Sequence, residues 1–204
     1  MGSKNKLICG VGINDSDYTL HKFGVVAGTK KRIWICPFYQ TWHDMLIRCY
    51  SECSLKRSPT YIGCSVTPEW LIFSKFRKWM ADQDWSGNSL DKDLLVKGNK
   101  IYSPDTSVFI SVQLNNFLGD CRKARGEHPI GVSWHKRTGT FRADCNNPFT
   151  RKAESLGHFT CATKAHEAWR VRKHQLALRY ADMQTDPRIA EALRTRYLPD
   201  KEII

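Results

Sequence analysis

Residues 130–157 read IGVSWHKRTGTFRADCNNPFTRKAESLG. Three strand-like runs, IGVSWH, TFRADCN and RKAESLG, are separated by the turn KRTG and the loop NPFT. In the second run Phe141, Ala143 and Cys145 alternate with Arg142, Asp144 and Asn146. Side chains on a strand alternate between its two faces, so one face is apolar and the other polar. A helical stretch from about Ala162 to Tyr180 follows, and its Ala165, Ala168, Trp169 and Leu176 can pack on the apolar face. This stretch predicts a three-stranded antiparallel sheet packed on one helix. The free polar face carries His135, Arg142 and Asn146, with Lys136 and Arg137 on the adjoining turn.

Charge points at the same region. The chain has 204 residues, of which 41% are hydrophobic, enough for packed cores and too much for a disordered chain. Lys and Arg number 32 against 20 Asp and Glu, a net charge of +12. An excess of this size says little about fold and favours a polyanionic partner, nucleic acid first. A basic, solvated surface with no such partner is the plain alternative. Residues 121–180 hold 13 Lys and Arg against 4 Asp and Glu, while residues 1–120 hold 15 against 11. The basic charge is therefore concentrated on the stretch read above.

The opening MGSKNKLICGVG lacks the apolar core of a signal peptide, and no apolar run approaches a membrane span. Reduced thiols are expected for the eight cysteines. Cys49, Cys53 and Cys64 with His43 offer an irregular zinc-ligand spacing. Small buried cysteines are the competing reading.

The first half is rich in aromatic residues. Val25-Val26 and Ile33-Trp34-Ile35 read as short strands around a basic turn, Thr29 to Arg32. In residues 38–50, Trp42, Met45, Leu46, Cys49 and Tyr50 recur at helical spacing. Pro68 starts a second helix whose apolar stripe is Trp70, Phe73, Phe76, Arg77 and Met80. Residues 89–105, SLDKDLLVKGNKIYSPD, read as a hairpin turning at Gly98-Asn99 and returning through Ile101-Tyr102. Ser103 is a candidate helix N-cap with Pro104 at the first helical position. Residues 119–129, GDCRKARGEHP, read as a linker. The organisation expected is an N-terminal segment 1–36, a module 37–118, that linker, a sheet domain 130–180 and a helical tail 181–204.

PIGVSWHKRTGTFRADCNNPFTRKAESLGHFTCATKAHEAW resembles the DNA-binding domain of plant ethylene-response factors and its phage relatives. The shared features are Gly131-Val132, Gly139-x-Phe141-x-Ala143, Leu156-Gly157-x-Phe159 and the Ala165/Ala168-Trp169 helix. That resemblance implies a sheet lying in the DNA major groove. It would place Ser133, His135, Arg142, Asp144 and Asn146 toward the bases and Lys136, Arg137, Arg151 and Lys152 on phosphates.

WHDMLIRCY, TYIGCSVTPEWLIFSKFRKW and LDKDLLVKGNKIYSPDTSVFI are similar to phage proteins classed as HNH-type homing endonucleases, which are often joined to this same sheet domain. The resemblance implies a ββα hairpin that holds one divalent metal, Mg or Mn, for phosphodiester hydrolysis. Asp91 and Asp93 would be its metal oxygens and Asn99 would hold the turn. Lys92 stands where the family's activating histidine belongs. A lysine there would stabilise phosphorane charge or act as a base.

The fold class expected is therefore α+β: a helical, aromatic-rich module ending in an HNH-like ββα hairpin, then the three-stranded sheet on its helix. The function expected is binding of double-stranded DNA by a cytoplasmic protein, in a host bacterial cytoplasm if phage-encoded. Metal-dependent nicking by Asp91, Lys92 and Asp93 is the alternative, and binding of a host protein or RNA a third.

Overall fold

The computed structural model describes residues 7–119 and 127–199, and the chain divides into two units between Ile110 and Ser111. The fold is α+β. In the first unit β1 (His21–Val26) and β2 (Thr29–Ile35) form an antiparallel hairpin. Its turn is Ala27-Gly28, both at positive φ, and not the basic Thr29–Arg32 stretch, which lies within β2. Two positive-φ residues suit the tight turn whose twist matches the strands.

Then come α1 (Pro37–Tyr50), α2 (Glu52–Arg57), a 3-10 turn at Pro59–Tyr61, β3 (Ser65–Val66), a second 3-10 turn at Pro68–Leu71 and α3 (Phe73–Ala81). Trp42, Met45, Leu46 and Cys49 of α1 are buried against Trp70, Phe73, Phe76 and Met80, as the helical spacing predicts. The helix expected from Pro68 is broken at Ile72, which is extended. Ile13 inserts beside it: its N–H donates to Leu71 O at 2.8 Å, and its carbonyl accepts from Phe73 N at 3.0 Å. The N-terminal segment 1–36 is thus part of this unit over its described length, residues 7–36. Leu20 and Cys36 are buried in the same core, with Ile8, Val11 and Ile35 packed against it.

The expected 89–102 hairpin does not form. β4 (Asn88–Asp91) pairs with β6 (Val108–Ser111), and β5 (Ile101–Tyr102) pairs in parallel with β3. Asp91 ends β4 by accepting from the backbone N–H of Asp93 at 2.9 Å and Leu94 at 2.7 Å. Gly98-Asn99 does turn the chain, with Asn99 N donating to Val96 O at 3.0 Å. Ser103 caps a turn and no helix, its Oγ accepting from Thr106 N at 3.3 Å. The helix comes later, as α4 (Val112–Leu118), capped by Ser111 Oγ.

α4 belongs to the second unit, so the expected boundary at 118 shifts to 110. The cause is Phe117, buried with its ring 5.0 Å from Tyr180 and 6.1 Å from Tyr197. Most of the expected linker, residues 120–126, lies outside the described residues. β7 (Val132–His135), β8 (Thr140–Asn147) and β9 (Lys152–Phe159) form the antiparallel sheet in that order. α5 (Ala162–Ala181) covers one face, with Ala165, Trp169 and Leu176 buried as expected. α6 (Pro187–Thr195) packs on α5 through Ile189 and Leu193, so the expected 181–204 tail is part of this unit over its described length. Among the described residues no helix is long and apolar enough to cross a membrane.

Candidate nucleic-acid interface

Strand alternation decides which residues meet solvent. Ala143, Cys145 and Asn147 of β8 point toward α5 and are buried, while Arg142, Asp144 and Asn146 point away. Directly opposed residues share a face, and Ser133 opposes Arg142. The structure therefore brings Ser133, His135, Arg142, Asp144 and Asn146 together on one unburied face.

β9 adds a residue that the sequence pattern misses. Register shifts between Ala143 and Asp144: Ala143 opposes Gly157 but Asp144 opposes Ser155, leaving Leu156 as an extra residue. Gly157, at φ +116°, accommodates the bulge. The slip turns His158 onto the polar face, opposite Arg142.

His158 joins a hydrogen-bonded chain. His135 Nδ1 meets Thr138 Oγ1 at 2.8 Å, Thr138 Oγ1 meets Thr140 Oγ1 at 2.6 Å, and Thr140 Oγ1 meets His158 Nδ1 at 2.9 Å. Three contacts need three protons, and the two hydroxyls supply only two. At least one of the imidazoles therefore carries a proton on Nδ1. When that ring is neutral, its Nε2 is an acceptor. The two ring centroids are 5.0 Å apart.

Arg142 is oriented by Asp144, whose Oδ1 accepts from Nε at 2.9 Å and Nη2 at 2.7 Å. Asp144 thus serves first to hold the guanidinium. The rest of the fork stays outside that pair, the geometry a bidentate acceptor such as guanine requires.

Basic residues stand at both ends of the face. Exposed Lys136 and Arg137 lie on the β7–β8 turn; exposed Arg151 lies on the β8–β9 loop and exposed Lys152 opens β9. At about 3.3 Å per residue, β8 separates these ends by about 25 Å. That span exceeds the width of a DNA major groove, about 12 Å.

The loop carrying Arg151 is built from the other face. Buried Asn147 accepts at Oδ1 from Phe149 N at 2.9 Å and Thr150 N at 3.3 Å, and its Nδ2 donates to Glu154 at 2.6 Å. Arg172 Nε donates to the same carboxylate at 2.7 Å. Arg172, then Asn147, hold the Glu154 carboxyl down to about 2. A depressed carboxyl stabilises the fold above its unfolded value and loses that contribution as pH falls toward the folded one. Glu154→Gln is therefore expected to lower the thermal midpoint at pH 7 and to differ little from the parent near pH 2. A midpoint gap that stays constant between these pH values would show that the ion pair contributes nothing.

The Asp91 loop of the first unit has a different character. Asp91 spends Oδ1 on two backbone N–H groups. Burial, with Asp93 beside it, raises its carboxyl above the usual range. Lys92 is buried, with Nζ 3.1 Å from Asp93 Oδ2 and within 6 Å of the Tyr61 and Tyr102 rings. Asn99 Nδ2 donates to Lys92 O at 2.6 Å and to Ile101 O at 2.7 Å. The four residues are brought together as a clasp on the loop backbone. A divalent cation at Asp93 would compete with the Lys92 ammonium already there, so as placed the set does not form a cation cage.

Among the described residues no group of three or more His, Cys, Asp or Glu is placed to hold a metal. Of the zinc-spaced cysteines, Cys49 and Cys64 are buried and Cys53 is exposed. Burial, with Cys64 beside it, pushes the Cys49 thiol up to about 12. His43 stacks on Tyr39 at 5.7 Å.

No family model, no curated protein and no solved structure matches this chain.

Proposed function

We propose that the chain binds double-stranded DNA by laying the polar face of its three-stranded sheet in the major groove. The observation that carries this reading is one unburied face with Arg142, Asn146, Ser133, His135 and His158 together, flanked at both ends by basic turns. Arg142, held by Asp144, reads a base edge, with Asn146 and the two histidines beside it. Lys136, Arg137, Arg151 and Lys152 take phosphates and fix the register. Phosphate contacts release counterions, so affinity falls steeply with salt.

The test titrates a labelled duplex across a salt series. Replacing Lys136, Arg137, Arg151 and Lys152 with Ala should flatten the log–log salt slope by about 3 to 4, at about 0.9 per phosphate. Arg142→Lys should cost about 1–3 kcal/mol on the preferred site and little elsewhere, since an ammonium cannot make the forked contact. An unchanged slope in the fourfold variant would remove this reading.

Metal-dependent nicking is the second reading: Asp91, Lys92 and Asp93 meet on a loop pinned by Asn99, and a divalent cation there would have to displace the Lys92 ammonium from Asp93. The same binding reaction, run on supercoiled plasmid with Mg²⁺ or Mn²⁺, separates the two. Nicked circles that vanish in Asp91→Asn would establish cleavage, because Asn keeps the acceptor that holds the loop. Retarded but intact DNA leaves binding as the function.

A further inference from the structure

The basic stretch Thr29–Arg32 is not used by the sheet, and it lies in the other unit. Its hairpin is rooted at one end. Cys36 N donates to Leu20 O at 2.8 Å, both residues are buried, and His21 packs edge-on against Tyr39 at 5.4 Å. Beyond that root none of the residues Lys22 to Trp34 is buried. Among the described residues β1 and β2 pair only with each other. At about 3.3 Å per residue the ribbon extends roughly 15–20 Å from its root to the Ala27-Gly28 tip.

A two-stranded ribbon alone in water is only marginally stable. This one also exposes large apolar side chains: Val25 at 75%, Phe23 and Ile33 at 59% and Trp34 at 40%. Such a surface marks an interaction site. Charge identifies the partner. Lys22, Lys30, Lys31 and Arg32 lie on the ribbon, and no Asp or Glu occurs from His21 to Ile35. Cations and rings are interleaved: Lys22 opposes Trp34 with Nζ 5.2 Å from its ring, and Lys30 stands 5.7 Å from Phe23. A protein surface would need acidic residues to match this stripe, and a second copy of the same ribbon would repel it. A polyphosphate backbone matches it along its length.

We propose that the β1–β2 ribbon is a second DNA-binding element, which enters a groove of duplex DNA with Lys30, Lys31 and Arg32 on the phosphates. Two strands about 4.8 Å apart with their side chains fill a major groove about 12 Å wide. Phe23 and Val25 then meet apolar base edges such as thymine methyl groups. The element acts independently of the sheet, and the chain grips DNA at two places.

The full chain is compared in four forms: parent, the ribbon variant Lys30→Ala/Lys31→Ala/Arg32→Ala, the sheet variant Lys136→Ala/Arg137→Ala/Arg142→Ala, and both together. All the ribbon positions are exposed, so the fold should be retained, checked by circular dichroism. Binding of a labelled duplex and of one of its single strands is followed across a salt series. The ribbon variant should flatten the duplex salt slope by about 2 to 3. The sheet variant should keep residual binding that the combined variant loses. A ribbon variant that binds like the parent overturns the proposal, even if the sheet variant fails. Loss in the ribbon variant alone would instead leave the ribbon standing and remove the sheet reading. Equal affinity for the single strand, lost in the same way, overturns groove entry. Phe23→Ser/Val25→Ser converting a sedimenting dimer to monomer with DNA binding unchanged would make the ribbon a self-association surface and also overturn it.

Discussion

Gly131→Ala is expected to lower the thermal midpoint of the second unit by more than about 10 °C. Gly131 sits at φ +80°, where a Cβ is strained, and a Cβ there would lie inside the Trp169 indole. Positive φ for a non-glycine residue costs about 1–2 kcal/mol. Overpacking against a ring that cannot withdraw adds about 1–3 kcal/mol. Trp169 is itself fixed, stacked on His166 at 5.3 Å and edge-on to Tyr197 at 6.1 Å. His166 Nδ1 donates to Ile130 O at 2.9 Å, which holds the backbone next to Gly131 against the helix. A total of about 2–5 kcal/mol is a large part of the about 5–15 kcal/mol that holds a domain together. Gly139→Ala is the control, since Gly139 has φ +62° and nothing within 4 Å of a Cβ. It should show the strain cost alone. Equal losses in the two variants, measured by calorimetry or near-ultraviolet circular dichroism, would mean that the Trp169 contact is unimportant.

Trp42→Ala is expected to unfold the first unit at ordinary temperature. Trp42 is fully buried, 5.4 Å from the Phe73 ring and 5.8 Å from Tyr39. Its Nε1 donates to Trp70 O at 2.7 Å. Removing the ring costs about 3–5 kcal/mol in transfer and cavity terms. The Trp70 carbonyl is then left buried without its donor, a further penalty of about 1–3 kcal/mol. Trp42→Phe refills much of the volume and loses only the N–H, so it should lose about half as much. Urea unfolding of the two variants reads the difference. A Phe variant as damaged as the Ala variant would place the stabilisation in the hydrogen bond and not in the packing.

Where the determining pattern is local, the amino-acid sequence alone determined the structure. The alternation of Phe141, Ala143 and Cys145 with Arg142, Asp144 and Asn146 defines an amphipathic strand. The turns KRTG and NPFT separate it from its neighbours, and the helix from Ala162 supplies the apolar cover. The same holds for α1, whose buried side chains recur at helical spacing. Tertiary structure decided the rest. Val108, Phe109 and Ile110 are all buried, so β6 has no alternation to announce its pairing with β4. Asn99 was legible as a residue that holds the 89–102 turn and Asp91 only as a metal oxygen, and their bonds close a loop and not a hairpin. Lys92 was legible as a charged residue of the expected hairpin and not as a buried ammonium between Tyr61 and Tyr102. Ile13 breaks a helix at Ile72, far along the chain, because it completes backbone hydrogen bonds that no local pattern encodes. His158 reached the polar face through one extra residue at Leu156. A bulge reverses side-chain orientation beyond it, and only cross-strand pairing reveals where that reversal falls.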